Sequence, residues 1–190
     1  LRLTKHFFQY KRNKQVKNIL IKITVLVFLL KLSSSFADHH LANEASVIIP
    51  KEEVDSTLLQ GLANIAEGRT VSDIVVRHID VGEEHLGVSV VQRDKVEIRE
   101  TETGIAHVDL DEIYYIVAGQ GTMITGGNFI SPTATNSSLL GPMLRGEIIG
   151  GIHQPVKVGD IAIIPKGMPH GWHEITTDTI SYIIFTGDPN

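Results

Sequence analysis

The sequence contains no cysteine. That absence removes disulfides, thiolate metal sites and cysteine nucleophiles at once, so any metal is left to histidine and carboxylate ligands. An exported domain of this size would have to hold together by its core alone. Positive charge is also scarce once the first residues are set aside. All 22 acidic residues lie from Asp38 onward, but only 9 of the 17 basic ones do, so residues 38–190 carry a formal charge of −13. A domain this acidic repels phosphate backbones and anionic bilayers, which argues against nucleic-acid and membrane partners. No Ser/His/Asp order, phosphate loop or repeat array is present. Tryptophan occurs once, as Trp172.

What is there begins with a targeting pattern. Residues 11–18, "KRNKQVKN", are basic, and "ILIKITVLVFLL" is an apolar run broken only by Lys22. Ser35 and Ala37 then occupy the small-residue positions of a cleavage site. The run is short of the roughly 20 residues that span a bilayer. The pattern therefore reads as a signal peptide over 1–37, removed after Ala37. The expected product is periplasmic or secreted, free of the membrane after cleavage, with a lead-in and helix over 38–69 and a barrel domain over 70–190.

Between Pro50 and Gly68, Val54, Leu58, Leu59, Leu62 and Ile65 recur at helical spacing, which predicts one amphipathic helix, with Gly61 as a weak point inside it. From Thr70 the pattern changes to short β-branched and aromatic runs: "VSDIVVRHIDV", "LGVSVVQRDKVEIRE", "GIAHVDL", "EIYYIVAG", "GTMITGG", "IAIIP" and "TISYIIFTG". Many short strands punctuated by Gly, Asp and Pro predict an all-β sandwich or barrel. The Ser/Thr/Asn/Pro-rich stretch 128–146 reads as an irregular loop, either a lid or a solvated insertion.

Two segments carry chemistry. In "HVDLDEIYYIVAGQG" (107–121), strand alternation puts Glu112, Tyr114 and Ile116 on one face and Ile113, Tyr115 and Val117 on the other. His107 and Glu112, five apart, converge only if the chain turns between them, and "DLD" supplies turn residues. In "GDIAIIPKGMPHGWHEI" (159–175), Pro165-Lys166-Gly167 makes a turn, after which His170, Trp172 and Glu174 share a face opposite His173. Two imidazoles and a carboxylate, His107, His170 and Glu112, have the composition of a facial-triad metal site. Asp109, on the parity of His107, can replace Glu112 or add a fourth ligand. Iron, manganese, zinc, nickel and copper all accept such ligands. His39 and His40 read as solvated, and His78, His85 and His153 as surface or hydrogen-bonding residues.

These segments resemble the paired motifs of the cupin superfamily. Glu112 is followed after six residues by Gly119, and Gly159, Pro165-Lys166-Gly167 and His170 match the second motif at its spacings. The resemblance, over about residues 70–187, implies a double-stranded β-helix, or jelly-roll barrel, behind the short helix. It implies a divalent metal on His107, Glu112 and His170, and a homodimer. Two departures stand out: the family's first histidine is Ile105 here, and its closing asparagine is Glu174. The resemblance allows isomerase, lyase or dioxygenase chemistry on a small organic molecule, with Glu174 or Tyr114 as catalytic acid or base and Trp172 and Arg145 as substrate contacts. The alternative is a non-catalytic barrel that captures a small ligand, with metal optional.

Overall fold

The computed structural model describes residues 46–81, 84–137 and 140–188. The signal-peptide reading and most of the lead-in fall outside them. Among the described residues, no helix is long and apolar enough to cross a membrane.

Among the described residues, one helix precedes the strands, α1 (Lys51–Ala66), beginning after Pro50 and followed by Gly68 at φ +96°. Proline before the first turn and a left-handed glycine after the last are the stop signals the sequence advertised. The apolar stripe carries only part of the packing: Val54, Leu58 and Ile65 are half-buried, but Leu59 is 69% exposed and Leu62 39%. Gly61 is the buried residue of α1, and a Cβ there would sit 1.7 Å from Gln92 Oε1. The glycine is therefore a contact point rather than a defect. It lets the helix backbone meet β1 and β2, where Gln92 Nε2 donates to Leu58 O and Asn64 Nδ2 to Ser72 Oγ. An Arg77–Glu53 ion pair closes the other end of this contact.

Ten strands follow: β1 (Val71–Val81), β2 (Glu84–Val96), β3 (Thr103–His107), β4 (Asp111–Ala118), β5 (Gln120–Thr125), β6 (Asn128–Ser137), β7 (Gly141–Ile149), β8 (Ile152–Lys157), β9 (Ile161–Ile164) and β10 (His170–Gly187). Every pairing is antiparallel. The second half of β10 lies between β2 and β4, giving a sheet β1-β2-β10-β4-β9. Its first half lies between β3 and β5, giving β6-β7-β3-β10-β5-β8. One long strand thus runs through both sheets and closes them into the jelly-roll, double-stranded β-helix. Ile116, Met123, Ile164, Ile175, Ile180 and Tyr182 fill the space between the sheets.

Residues 128–146 are not an irregular loop. The described ones, 128–137 and 140–146, form most of the β6–β7 hairpin, with paired residues from Asn128↔Ile149 to Ser137↔Gly141. The hairpin lacks apolar alternation because β6 is an edge strand exposed along most of its length. The register slips between Ile130 and Thr133, around Ser131 at φ +46° and Pro132, as a proline in an edge strand allows.

Candidate metal centre

The two sequence motifs meet through one turn. Met168 N–H donates to Pro165 O across Lys166-Gly167, with Gly167 at φ +77°, the position where a type II turn requires glycine. Gly167 N–H then donates to His107 O, and Lys166 N–H to Asp111 Oδ1. The turn is thereby fastened to the end of β3 and the start of β4, and β10 starts at His170 beside both. His107 and Glu112 converge because β3 stops at His107 and the chain turns through 108–110.

The result is a buried cluster. His107, Glu112 and His170 are each 2–3% exposed, the histidines from one sheet and the carboxylate from the other. Glu112 Oε1 is 3.4 Å from His107 Nε2, and its Oε2 is 3.2 Å from His170 Nε2. One ligand atom from each residue lies within 4.8 Å of the others, so the group can hold a metal ion. His170 Nδ1 is 3.0 Å from Met168 O, which only accepts, so Nδ1 carries the proton. In the neutral ring Nε2 is then a lone pair that faces a carboxylate at 3.2 Å and the Tyr114 hydroxyl at 3.3 Å. Two acceptors at 3.2 Å need a proton or a cation between them, and neighbouring ligands of a first-row divalent ion stand about 3 Å apart. The donor set therefore fits such an ion, with Met168 O fixing the tautomer from behind.

His107 Nδ1, beside the backbone of Leu140, makes no hydrogen bond of normal geometry. Burial lowers the pKa of His107; Glu112 opposes that and His170 adds to it, for a net downward shift. Tyr114 Oη lies 3.4 Å from Glu112 Oε2 and 3.3 Å from His170 Nε2. Burial first, then the Glu112 carboxylate, push the Tyr114 pKa well above its ordinary value, so the hydroxyl stays protonated.

Tyr114, His170 and Trp172 line a cavity of about 760 Å³, together with Arg145 and Ile105. Ile105 pairs with His170 on the cavity side, so an apolar side chain stands where the cupin pattern has its first histidine.

Two expected residues are elsewhere. Glu174 does not share the face of His170 and Trp172. Trp172 pairs with Met123 and Glu174 with Thr122, a one-residue bulge at His173 that reverses the alternation. Glu174 Oε1 accepts from Thr122 Oγ1 and lines a different cavity with Gln120 and Lys157. Asp109 sits exposed in the turn after β3, where strand parity no longer holds, and lines a separate cavity of about 190 Å³ with His78 and His85.

Sequence reasoning missed Asp111 and Met168, which position the turn and the His170 ring. It also missed that His153 Nε2 and His173 Nδ1 lie 2.6 and 2.5 Å from one oxygen, Glu102 Oε1, with the rings stacked at 4.0 Å. These residues come from three distant segments, and no local motif joins them.

No protein-family model and no curated protein matches the chain. Among solved structures it is similar to BH2720 from Bacillus halodurans (14% identity, 80% of this chain and 86% of that one, TM-score 0.41). It is also similar to KdgF from Halomonas sp. (18%, 64% and 82%, TM-score 0.36) and to the EutQ protein of Clostridium difficile (17%, 61% and 61%, TM-score 0.35). The chain thus spans less than two thirds of the EutQ protein. Likeness this distant carries no activity with it. The chain's own strand order is that of a double-stranded β-helix, and its Gly159-to-His170 spacing resembles the second cupin motif.

Proposed function

We propose that this chain is an exported, metal-dependent barrel protein acting on a small organic molecule, with His107, Glu112 and His170 as the ligands. The observation that supports this is the lone pair of His170 Nε2 set against the Glu112 carboxylate, deep in the barrel and beside the cavity. A divalent ion there supplies Lewis acidity, to polarise a carbonyl or acidify a water, or oxygen binding if it is iron. The protein's own share is orientation and dryness. Trp172 and Met123 give the cavity apolar wall, and Tyr114 offers a protonated hydroxyl next to the ligands, suited to donating a hydrogen bond to developing negative charge. Isomerase, lyase and dioxygenase types all fit such a site.

A homodimer belongs to the same proposal. On the outer face of the first sheet, Ile161 and Ile163 of β9 pair with Tyr115 and Ile113 of β4, and Ile113 pairs with Phe185 of β10. All five are exposed, Ile163 by 72%. A contiguous apolar sheet face of this kind is suited to a second copy.

The test is elemental analysis of residues 38–190, purified without affinity tag or chelator, beside His170→Ala and His153→Ala. Near-stoichiometric metal lost in His170→Ala and kept in His153→Ala supports the centre. A protein that takes up none of iron, manganese, zinc, nickel or copper on reconstitution removes it, leaving a ligand-binding barrel.

A further inference from the structure

Basic residues are few in this domain and unevenly placed. Of the nine between Asp38 and Asn190, four line the cavity beside His170: Arg93, Lys95, Arg99 and Arg145. Of the 22 acidic residues in the same stretch, Asp94 and Glu147 line it. A cavity whose sign opposes that of the surrounding domain concentrates anions, because its low-dielectric walls focus the field while the acidic surface repels them elsewhere.

Two of the four are placed to grip a ligand. Arg93 comes from β2 in one sheet and Arg145 from β7 in the other. Arg93 is half-buried, and its Nε–H donates to Tyr182 Oη at 2.8 Å, which fixes the guanidinium and leaves its terminal amino groups for a partner. Tyr182 stacks on Tyr114 at 4.8 Å, so the aromatic pair that holds a hydroxyl beside Glu112 also holds Arg93. Asp73 acts on Arg93, but not from ion-pair distance. Among the described residues, no ion pair involves Arg93 or Arg145, whereas Lys95 is paired with Glu97 at 2.6 Å. Arg145 is exposed and Arg93 half-buried, so each keeps N–H donors for a charge-assisted contact with a bound anion.

We infer that the cavity selects an anionic small molecule, whose carboxylate or phosphate group is held between Arg93 and Arg145 with the remainder directed at Tyr114 and His170. The direction of the remainder rests on reading His107, Glu112 and His170 as the reactive centre; the recognition of charge does not need a metal. Trp172 lines the same cavity and is the sole tryptophan, so it reports occupancy.

The experiment uses purified protein stripped of metal by chelation and dialysis. It is titrated at low salt with succinate, with inorganic phosphate and with the neutral succinamide, following Trp172 fluorescence. Succinate or phosphate should give a saturable change, and succinamide none. Arg145→Gln and Arg93→Gln should each weaken binding by roughly tenfold or more, since a charge-assisted contact is lost. Arg93→Lys, which keeps the charge but loses the fork, should fall between Arg93→Gln and wild type. Binding of phosphate alone assigns a phosphoryl group, and of succinate alone a carboxylate. Equal responses to succinate and succinamide, no saturable response to any of the three, or wild-type affinity in correctly folded Arg93 and Arg145 variants overturns the inference. Metal content, measured separately, keeps the two readings apart. Metal-free protein that binds succinate through the arginines loses only the metal centre, and His170-dependent metal without anion selectivity loses only this inference.

Discussion

Gly104→Ala tests whether the fold itself sets the position of the proposed metal ligand His170. A Cβ on residue 104 would lie 2.2 Å from the carbonyl oxygen of His170, 2.8 Å from its carbonyl carbon and 2.6 Å from Ile148 Cδ1. Ordinary contact begins near 3.4 Å. The isoleucine methyl can rotate away, but the His170 carbonyl cannot move without the residue that carries the imidazole. Relief of the clash therefore shifts the start of β10 from β3 by about 1 Å, twice the roughly 0.5 Å within which a site must be held. Overpacking of this kind costs about 1–3 kcal/mol. Alanine recovers about 0.5–1 kcal/mol over glycine in a strand, so a net loss of about 1–2 kcal/mol is expected in urea unfolding. Metal affinity should fall further in proportion, by about 10–100-fold, the range seen when ligand positioning is disturbed. Gly150→Ala is the control. Nothing lies within 4 Å of its Cβ, and its φ of +72° exacts only local strain in the β7–β8 turn, about 1–2 kcal/mol. Comparable stability loss with unchanged metal affinity is the expected control result. Wild-type metal affinity in Gly104→Ala, or equal loss in Gly150→Ala, would refute the reasoning.

The remaining predictions concern acid sensitivity and assembly. Burial holds the His107 pKa below the ordinary histidine value, near 6.5, so the unfolded chain takes up a proton that the folded one resists. The stability this group contributes is present above about pH 6.5 and is lost as pH falls towards its lowered folded value, by at most about 1.4 kcal/mol per unit. Urea midpoints of metal-free protein between pH 8 and 5 should fall with acidification, and less so in His107→Gln; a rise on acidification contradicts the sign. Ile163→Glu places a charge on the most exposed apolar position of the outer sheet face, and should convert a dimer to monomers by light scattering. A monomeric wild-type protein would remove the interface.

The legible parts of the sequence were those where alternation ran unbroken. Along β4 the period of two puts Glu112, Tyr114 and Ile116 inside and Ile113 and Tyr115 outside, and the burial pattern follows it. The same logic failed on β10 because one inserted residue, His173, resets the period, and a bulge leaves no mark in composition. Strands β6 and β8 were hidden for another reason. Both are edge strands, each paired on one side, and Pro132 and Pro155 occupy them where a central strand would exclude proline. The triad was visible because two turns anchor it locally. Arg145 is a candidate substrate contact from the sequence, but Arg93 and its place opposite Arg145 were not legible, since the two sit on strands 52 positions apart whose proximity only topology supplies.

The 18-residue strand β10 bears on how the chain acquires its shape. It pairs with β2, β3, β4 and β5, yet comes after all of them in chain order. During synthesis those four strands must wait for it, so neither sheet closes until the last described strand arrives. Contacts so distant in sequence slow folding and prolong the exposure of unpaired edges. His170, at the head of that strand, is thus among the last groups to find its place. Metal capture would then mark completion of the barrel rather than seed it.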